Sequence, residues 1–112
     1  GLDLINTFDM NSDSYVAIAG PLPQSPFQSR VIVNYYSSYS SPYLNYTISG
    51  FVLNLKLSES RHFLAYELED STINIINITD PKVVLFSRVT RDYKKLQFVN
   101  DKTLLIVYYS NY

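Results

Sequence analysis

The chain has no cysteine, no tryptophan and only three glycines, and charged residues make up just 17% of it. Without cysteine there can be no disulfide, no thiol catalysis and no cysteine-based zinc site. The formal net charge is -1 and the basic residues are scattered, which argues against a nucleic-acid partner. Apolar runs are short, the longest lying near residues 83–86. None approaches the ~20 residues of a transmembrane helix.

What the chain does have is β-branched and aromatic residues, among them eleven tyrosines, in short segments separated by Ser, Asn, Asp and Pro. Such segments indicate strands, and no helical spacing of apolar residues is sustained. At 112 residues and 46% hydrophobic, the chain is long enough for one domain with a core. The predicted strands are 4–8, 15–19, 30–35, 43–48, 51–57, 63–68, 72–78, 83–89, 95–99 and 103–109.

The predicted strands repeat. Residues 6–18 resemble residues 53–66, and both resemble residues 94–107, each segment reading as strand, polar turn and strand. Residues 31–33 and 41–44 likewise correspond to 73–76 and 80–84. The unit is therefore four antiparallel strands in roughly 40–48 residues, present about two and a half times. This predicts an all-β fold of blade-like repeats, either a β-propeller-like fragment or an open repeat array.

The predicted domain is a single β-repeat module over residues 1–112. Its first repeat covers about 2–49, its second about 50–90, and a partial third about 91–112. The third stops after two strands and leaves unpaired edges. We expect these edges to be covered by further copies of the chain, by the remainder of a longer one, or by water. The N-terminus has neither an initiator Met nor a signal-peptide pattern, so we expect a processed chain or a fragment.

The second repeat resembles the LVIVD-type β-propeller repeat. The similarity is strongest over residues 60–89 and includes Ile73-Asn74-Ile75-Ile76-Asn77-Ile78-Thr79-Asp80-Pro81. In that family a strand similar to this one is followed by an Asp-Pro turn and an outer strand, and Asn77 stands where the repeat usually has Asp. The resemblance implies a propeller fold and often a secreted or cell-surface setting. It implies no reaction, and nothing in the sequence predicts a cofactor.

Two glycosylation sequons are present, Asn45-Tyr46-Thr47 and Asn77-Ile78-Thr79. The first falls on a predicted outer strand and the second at the turn between the third and fourth strands of repeat 2. Both positions are predicted to face solvent, where N-linked glycans could be attached in a secretory pathway.

Asp9, Asn11 and Asp13 alternate like the first ligands of a calcium loop. Ser14 stands where such a loop needs Gly, and Gly20 stands where it needs an acidic residue. The stretch also aligns with the equivalent turns of the other repeats. The simpler interpretation is a solvated hairpin turn, with calcium as the alternative.

Tyrosine and serine dominate residues 35–43, which connect the third and fourth strands of repeat 1. One interpretation is a loop whose rings cover a neighbouring repeat, and the other is a contact surface for a partner protein. The residues concerned are Tyr35, Tyr36, Tyr39 and Tyr43. The segment 21–26 contains three prolines and predicts an extended exposed loop.

No residue set predicts catalysis. His62 is the only histidine, and the acidic residues Glu59, Glu67, Glu69 and Asp70 fit solvated strand and turn positions. The sequence therefore predicts a non-enzymatic structural or protein-interaction module of a secreted or cell-surface glycoprotein. The alternatives are a subunit of an extracellular filament assembling by edge-strand pairing, and part of a larger propeller enzyme or ligand-binding protein. The last alternative predicts that Asn6, Asn54 and Lys95 converge on one axis.

Overall fold

The computed structural model describes residues 5–35, 44–89 and 93–108, and these residues form strands and turns without a helix. The Val, Ile, Leu and aromatic side chains of these strands alternate between two sides, as the pleat of a β-strand requires. The strands are β1 (Thr7–Met10), β2 (Tyr15–Leu22), β3 (Ser25–Tyr35), β4 (Leu44–Ser49), β5 (Val52–Leu57), β6 (Phe63–Leu68), β7 (Thr72–Asn77), β8 (Asp80–Val89), β9 (Tyr93–Asn100) and β10 (Thr103–Tyr108).

The strands form three antiparallel sheets in chain order. The first contains β1-β2-β3-β4, the second β5-β6-β7-β8, and the third is the hairpin β9-β10. We call them repeat 1, repeat 2 and repeat 3. The predicted all-β fold of four-stranded, blade-like repeats, about two and a half in number, is confirmed. The sheets stack as an open array and do not close into a barrel.

Neighbouring repeats pack face to face, and their first strands lie side by side. β5 contacts β1 on one side and β9 on the other. Apolar side chains from repeats 1 and 2 form the larger core, which includes the fully buried Val31, Val33 and Leu55. A smaller core joins repeats 2 and 3 around Leu96. Stability thus depends on contacts between neighbouring sheets, as in other repeat proteins.

The chain passes from repeat 1 to repeat 2 through a tightly bonded junction. Gly50 has a φ of 122°, which disfavours residues with a Cβ atom. The buried Ser29 hydroxyl donates to the Gly50 carbonyl (2.9 Å) and accepts from the Val52 amide (3.0 Å). One side chain therefore satisfies two backbone groups where the chain changes sheet.

Two expectations are wrong. The proline-containing segment 21–26 is not an extended loop, because β2 continues to Leu22 and β3 begins at Ser25, so only Pro23 and Gln24 form the turn. The strands simply extend beyond the part that the β-branched residues predict. Glu67 is not a solvated charge, since it is buried on the side of β6 that repeat 3 covers.

Candidate functional site

The turns that connect the first two strands of each repeat lie beside one another and are joined by hydrogen bonds. The buried Asn11 side chain donates through Nδ2 to the carbonyls of Ser58 (3.2 Å) and Glu59 (3.3 Å). Its Oδ1 accepts from the amides of Asp13 (3.1 Å) and Tyr15 (3.0 Å), which holds its own turn closed. Asn11 thus shapes the turn of repeat 1 and attaches it to the turn of repeat 2.

Carboxylates make further links between the turns. Glu59 accepts from the backbone amide of Ser12 (2.8 Å) and also from its hydroxyl. These bonds, the hydroxyl first, lower the pKa of Glu59 below its usual value. Between repeats 2 and 3, the Ser60 hydroxyl donates to Asp101 at 2.6 Å. In both links a repeat supplies the donor and the following repeat supplies the carboxylate.

These contacts show how the residues of the calcium alternative are used. The Asp9 carboxylate accepts from the Leu57 amide of repeat 2 at 2.9 Å, and both ends of the Asn11 amide are engaged as described above. Asp13 is exposed. Across the described ranges, no three His, Cys, Asp or Glu side chains are grouped so that they could hold a metal ion.

Of the predicted tyrosine surface, Tyr35 lies at the end of β3, and Tyr36, Tyr39 and Tyr43 fall outside the described residues. The Tyr35 ring packs against Tyr15, with centroids 5.3 Å apart. The Arg61 guanidinium of repeat 2 lies over the same Tyr15 ring, 4.2 Å from its centroid. Tyr35 therefore packs against the ring that makes a cation–π contact between repeats 1 and 2.

The most informative surface is one that sequence reasoning missed. In repeat 2, two cross-strand pairs, Leu55 with Tyr66 and Leu57 with Leu64, face repeat 1. We call such a set the rear quartet of its repeat. Its members in repeat 2 are 5% exposed or less. They interlock with Ala17 and Ala19 on the facing side of repeat 1, which we call the front face.

Repeat 3 has the same rear quartet, with Leu96 opposite Ile106 and Phe98 opposite Leu104. All four belong to the core shared with repeat 2, and Leu96 is fully buried. On the front face of repeat 2, Ala65 occupies the position that Ala17 has in repeat 1, since each pairs across its hairpin with the equivalent first-strand residue. The interface is thus built twice to one plan.

Repeat 1 has a rear quartet as well, and the described residues leave it uncovered. Phe8 lies opposite Ile18 and Met10 opposite Val16. Phe8 is 70% exposed and Met10 is 58% exposed, whereas their equivalents in repeat 2 are buried. The signal was in the sequence, because Phe8 and Met10 align with Leu55 and Leu57. It could not be recognised without knowing which side of each sheet faces its neighbour.

The opposite end of the array is also apolar. The front face of repeat 3 carries Val99, Leu105 and Val107, of which Leu105 is 48% and Val107 40% exposed. Leu105 occupies the position of Ala17 and Ala65, since it pairs with Gln97 as those alanines pair with Asp9 and Lys56. Both ends of the stack therefore present hydrophobic side chains to solvent. A second exposed apolar stretch lies on the outer strand β8, at residues 83–86.

A small polar cavity of about 120 Å³ lies where the first strands of the three repeats meet. Its lining includes Asp9, Lys56 and Gln97, which are the same position in successive repeats. Asn6, Asn54 and Lys95, which the larger-propeller alternative predicts to converge on one axis, are not part of this lining. Asn6 instead donates to the Val52 carbonyl at 2.7 Å.

The two sequons occupy different surroundings. Asn45 is exposed near the start of the outer strand β4. Asn77 ends β7 and is partly buried, and its Oδ1 accepts from the amide (3.0 Å) and hydroxyl (2.7 Å) of Thr79. Asn45 is the more accessible acceptor of the two.

The remaining candidates are dispersed. His62 is exposed beside Phe63, and Glu69 and Asp70 are exposed in the turn after β6. The Thr72 side chain and amide lower the pKa of the Asp70 carboxyl by hydrogen bonding. Burial raises the pKa of the Tyr66 hydroxyl. In the described ranges there is no helix with the length and apolar content needed to cross a membrane.

The fold defines the class of the protein as an open array of four-stranded antiparallel β-repeats. The chain matches no protein-family model, and no curated protein is detectably similar to it.

Proposed function

We propose that the chain is a non-enzymatic β-repeat module that acts through protein contacts, in a secreted or cell-surface glycoprotein. The observation that supports this proposal is the uncovered rear quartet of repeat 1. The equivalent side chains of repeats 2 and 3 pack into the cores of the array, while Phe8 and Met10 are largely exposed. Fully burying a side chain of this size contributes about 1.5–3 kcal/mol, so the quartet favours a bound partner.

The contact function is tested by photo-crosslinking in cells that normally express the chain. A photoreactive phenylalanine analogue replaces Phe8 in one variant and Phe27 in a matched control. Phe27 is 78% exposed and lies on β3, outside both the rear quartet of repeat 1 and the front face of repeat 3. We expect position 8 to give a discrete crosslinked protein product that position 27 does not give. Equal labelling from both positions, or none from either, would contradict the proposal.

The glycoprotein part is supported by the exposed position of Asn45 on an outer strand and is tested separately. The chain is expressed through a eukaryotic secretory pathway and its intact mass is compared with the unmodified 12.9 kDa. We expect added hexose-containing mass that Asn45→Gln removes, with a lower occupancy at Asn77. A secreted chain of unmodified mass would contradict this part.

A second candidate function is a ligand-binding propeller of which this chain is a part, the propeller fold being what the LVIVD resemblance implies. It is supported by the side-by-side first strands and by the cavity lined by Asp9, Lys56 and Gln97. Such a protein would be much larger than 12.9 kDa when isolated from its source. A native mass near that value would contradict it.

A further inference from the structure

We propose that the rear quartet of repeat 1 binds the front face of repeat 3 in a second copy of this chain. Molecules would then join head to tail by the same packing that joins repeats within one molecule. This inference rests on the proposed function and names the partner of the contact surface.

The proposed interface already exists twice in the chain. The front face of repeat 1 packs on the rear quartet of repeat 2, and the front face of repeat 2 packs on that of repeat 3. Each contact consists of one front face and one rear quartet. Among the described residues, the rear quartet of repeat 1 and the front face of repeat 3 are the two surfaces without such a counterpart. A second molecule supplies each with its counterpart.

The side chains on the second strands of the repeats also have complementary sizes. Between repeats 1 and 2, the small Ala17 and Ala19 face the large Leu64 and Tyr66. At the free ends the large and small side chains are exchanged. The front face of repeat 3 has the larger Leu105 and Val107 at the alanine positions, and the rear quartet of repeat 1 has Val16 and Ile18 at the positions of Leu64 and Tyr66. The four side chains at the existing contact contain roughly 14 non-hydrogen atoms in total, and the four at the proposed contact contain the same number. The proposed contact therefore fills the space that close packing requires.

The new contact can also reproduce a hydrogen bond that joins repeats 1 and 2. Within the molecule, Asp9 on the front side of β1 accepts from the Leu57 amide of the next repeat. Gln97 is the equivalent of Asp9 in repeat 3, and Met10 is the equivalent of Leu57 in repeat 1. Because a glutamine carbonyl also accepts from N–H, Gln97 of one molecule can bond the Met10 amide of the next.

The rear side of repeat 1 is apolar over only part of its width, which suits a partner that is two strands wide. This side is apolar on β1 and β2, whereas on the outer strand β4 it carries the exposed Asn45, Thr47 and Ser49. A two-stranded hairpin such as β9-β10 would cover the apolar part and leave β4 in water. The sequon at Asn45 then stays accessible when the molecules are joined.

The contact joins two different surfaces, so it is heterologous and can propagate beyond a dimer. The 112-residue chain is studied by sedimentation over a wide concentration range. We expect the mass to rise from 12.9 kDa towards several multiples. Ile18→Asp on the rear side and Leu105→Asp on the front side should each hold the mass at that of the monomer. Phe27→Asp is the control and should assemble like the unmodified chain.

Mixing the two blocked variants tests the direction of the contact. Ile18→Asp retains an intact front face and Leu105→Asp an intact rear quartet, so an equimolar mixture should form dimers and nothing larger. Circular dichroism and urea unfolding confirm that each variant is folded. If Ile18→Asp does not fold, Phe8→Ser replaces it, because this side chain is largely exposed.

The outcomes separate this inference from the proposed function. A mixture that stays monomeric, or a two-fold symmetric dimer from the unmodified chain, overturns the head-to-tail contact. If the chain is monomeric at all concentrations while position 8 crosslinks to a different protein in cells, the inference fails and the proposed function stands. If there is neither assembly nor a crosslink, both fail.

Discussion

Asn11 offers a test of how the repeats are held in register, because its two ends have separable roles. Asn11→Ala removes the bonds within the turn and the bonds to Ser58 and Glu59. Asn11→Asp keeps the acceptor for its own turn and places a carboxylate against those two carbonyls, beside the carboxylate of Glu59. Since Asn11 is only 4% exposed, we expect the alanine variant to lose about 1–3 kcal/mol of unfolding free energy. The aspartate variant should lose about 3 kcal/mol or more at neutral pH.

The assay is urea unfolding followed by circular dichroism and tyrosine fluorescence, the latter undisturbed because the chain has no tryptophan. A loss of 2 kcal/mol corresponds to a midpoint about 1 M lower in urea. Asn100→Ala is the matched control, since exposed Asn100 makes the similar turn bond to the Lys102 amide at 2.8 Å. It should cost less than about 1 kcal/mol. An aspartate variant as stable as the unmodified chain would refute the role of the cross-repeat bonds.

Three further predictions concern stability. Ser29→Ala should lower the free energy of unfolding in urea by about 1–3 kcal/mol, because it leaves the Gly50 carbonyl and the Val52 amide without their partner at the junction. Equal stability would show that water replaces the hydroxyl. Gly50→Ala should cost about 1–3 kcal/mol, since its φ is 122° and the new Cβ would lie 3.1 Å from Leu68; an unchanged midpoint would contradict this. The hydrogen bonds from Ser12 lower the pKa of Glu59 in the folded state. They therefore stabilise the fold fully at pH values above the ordinary pKa of 4.5, and this stabilisation is lost as the pH falls through the lowered pKa. Glu59→Gln should therefore be slightly less stable than the unmodified chain near pH 7, and the difference should disappear in acid.

The strands and their grouping could be predicted from the sequence because both depend on local patterns. Alternating β-branched residues determine where the chain is extended, and polar clusters determine where it turns. β6 runs from Phe63 to Leu68, the range that the sequence predicts. The correspondence of residues 6–18, 53–66 and 94–107, together with that of 31–33 and 41–44 to 73–76 and 80–84, also indicated that the unit has four strands, which the sheet order bears out.

Burial was less predictable because it depends on which repeat covers which side. Glu67 lies on β6, close to the exposed Glu69 and Asp70 of the following turn. Its own side chain, however, is on the side of β6 that repeat 3 covers. The same reason hid the rear quartet of repeat 1. Phe8 and Met10 follow the ordinary alternation of a β-strand. Only the stacking order of the repeats shows that they lie on the side that packs against a neighbouring repeat elsewhere in the array.

The turn bonds and the apolar quartets make different contributions to assembly. Burial of the quartets supplies most of the free energy, but apolar contacts tolerate several orientations. The turn bonds have a direction, since Ser12 donates forward to Glu59 and Ser60 donates forward to Asp101. A reversed stack would break these bonds and take from Glu59 and Asp101 the donors that they have here, which costs free energy. The polar turns thus select one order of stacking among those that the apolar faces permit, and a further molecule added to either end would be subject to the same selection.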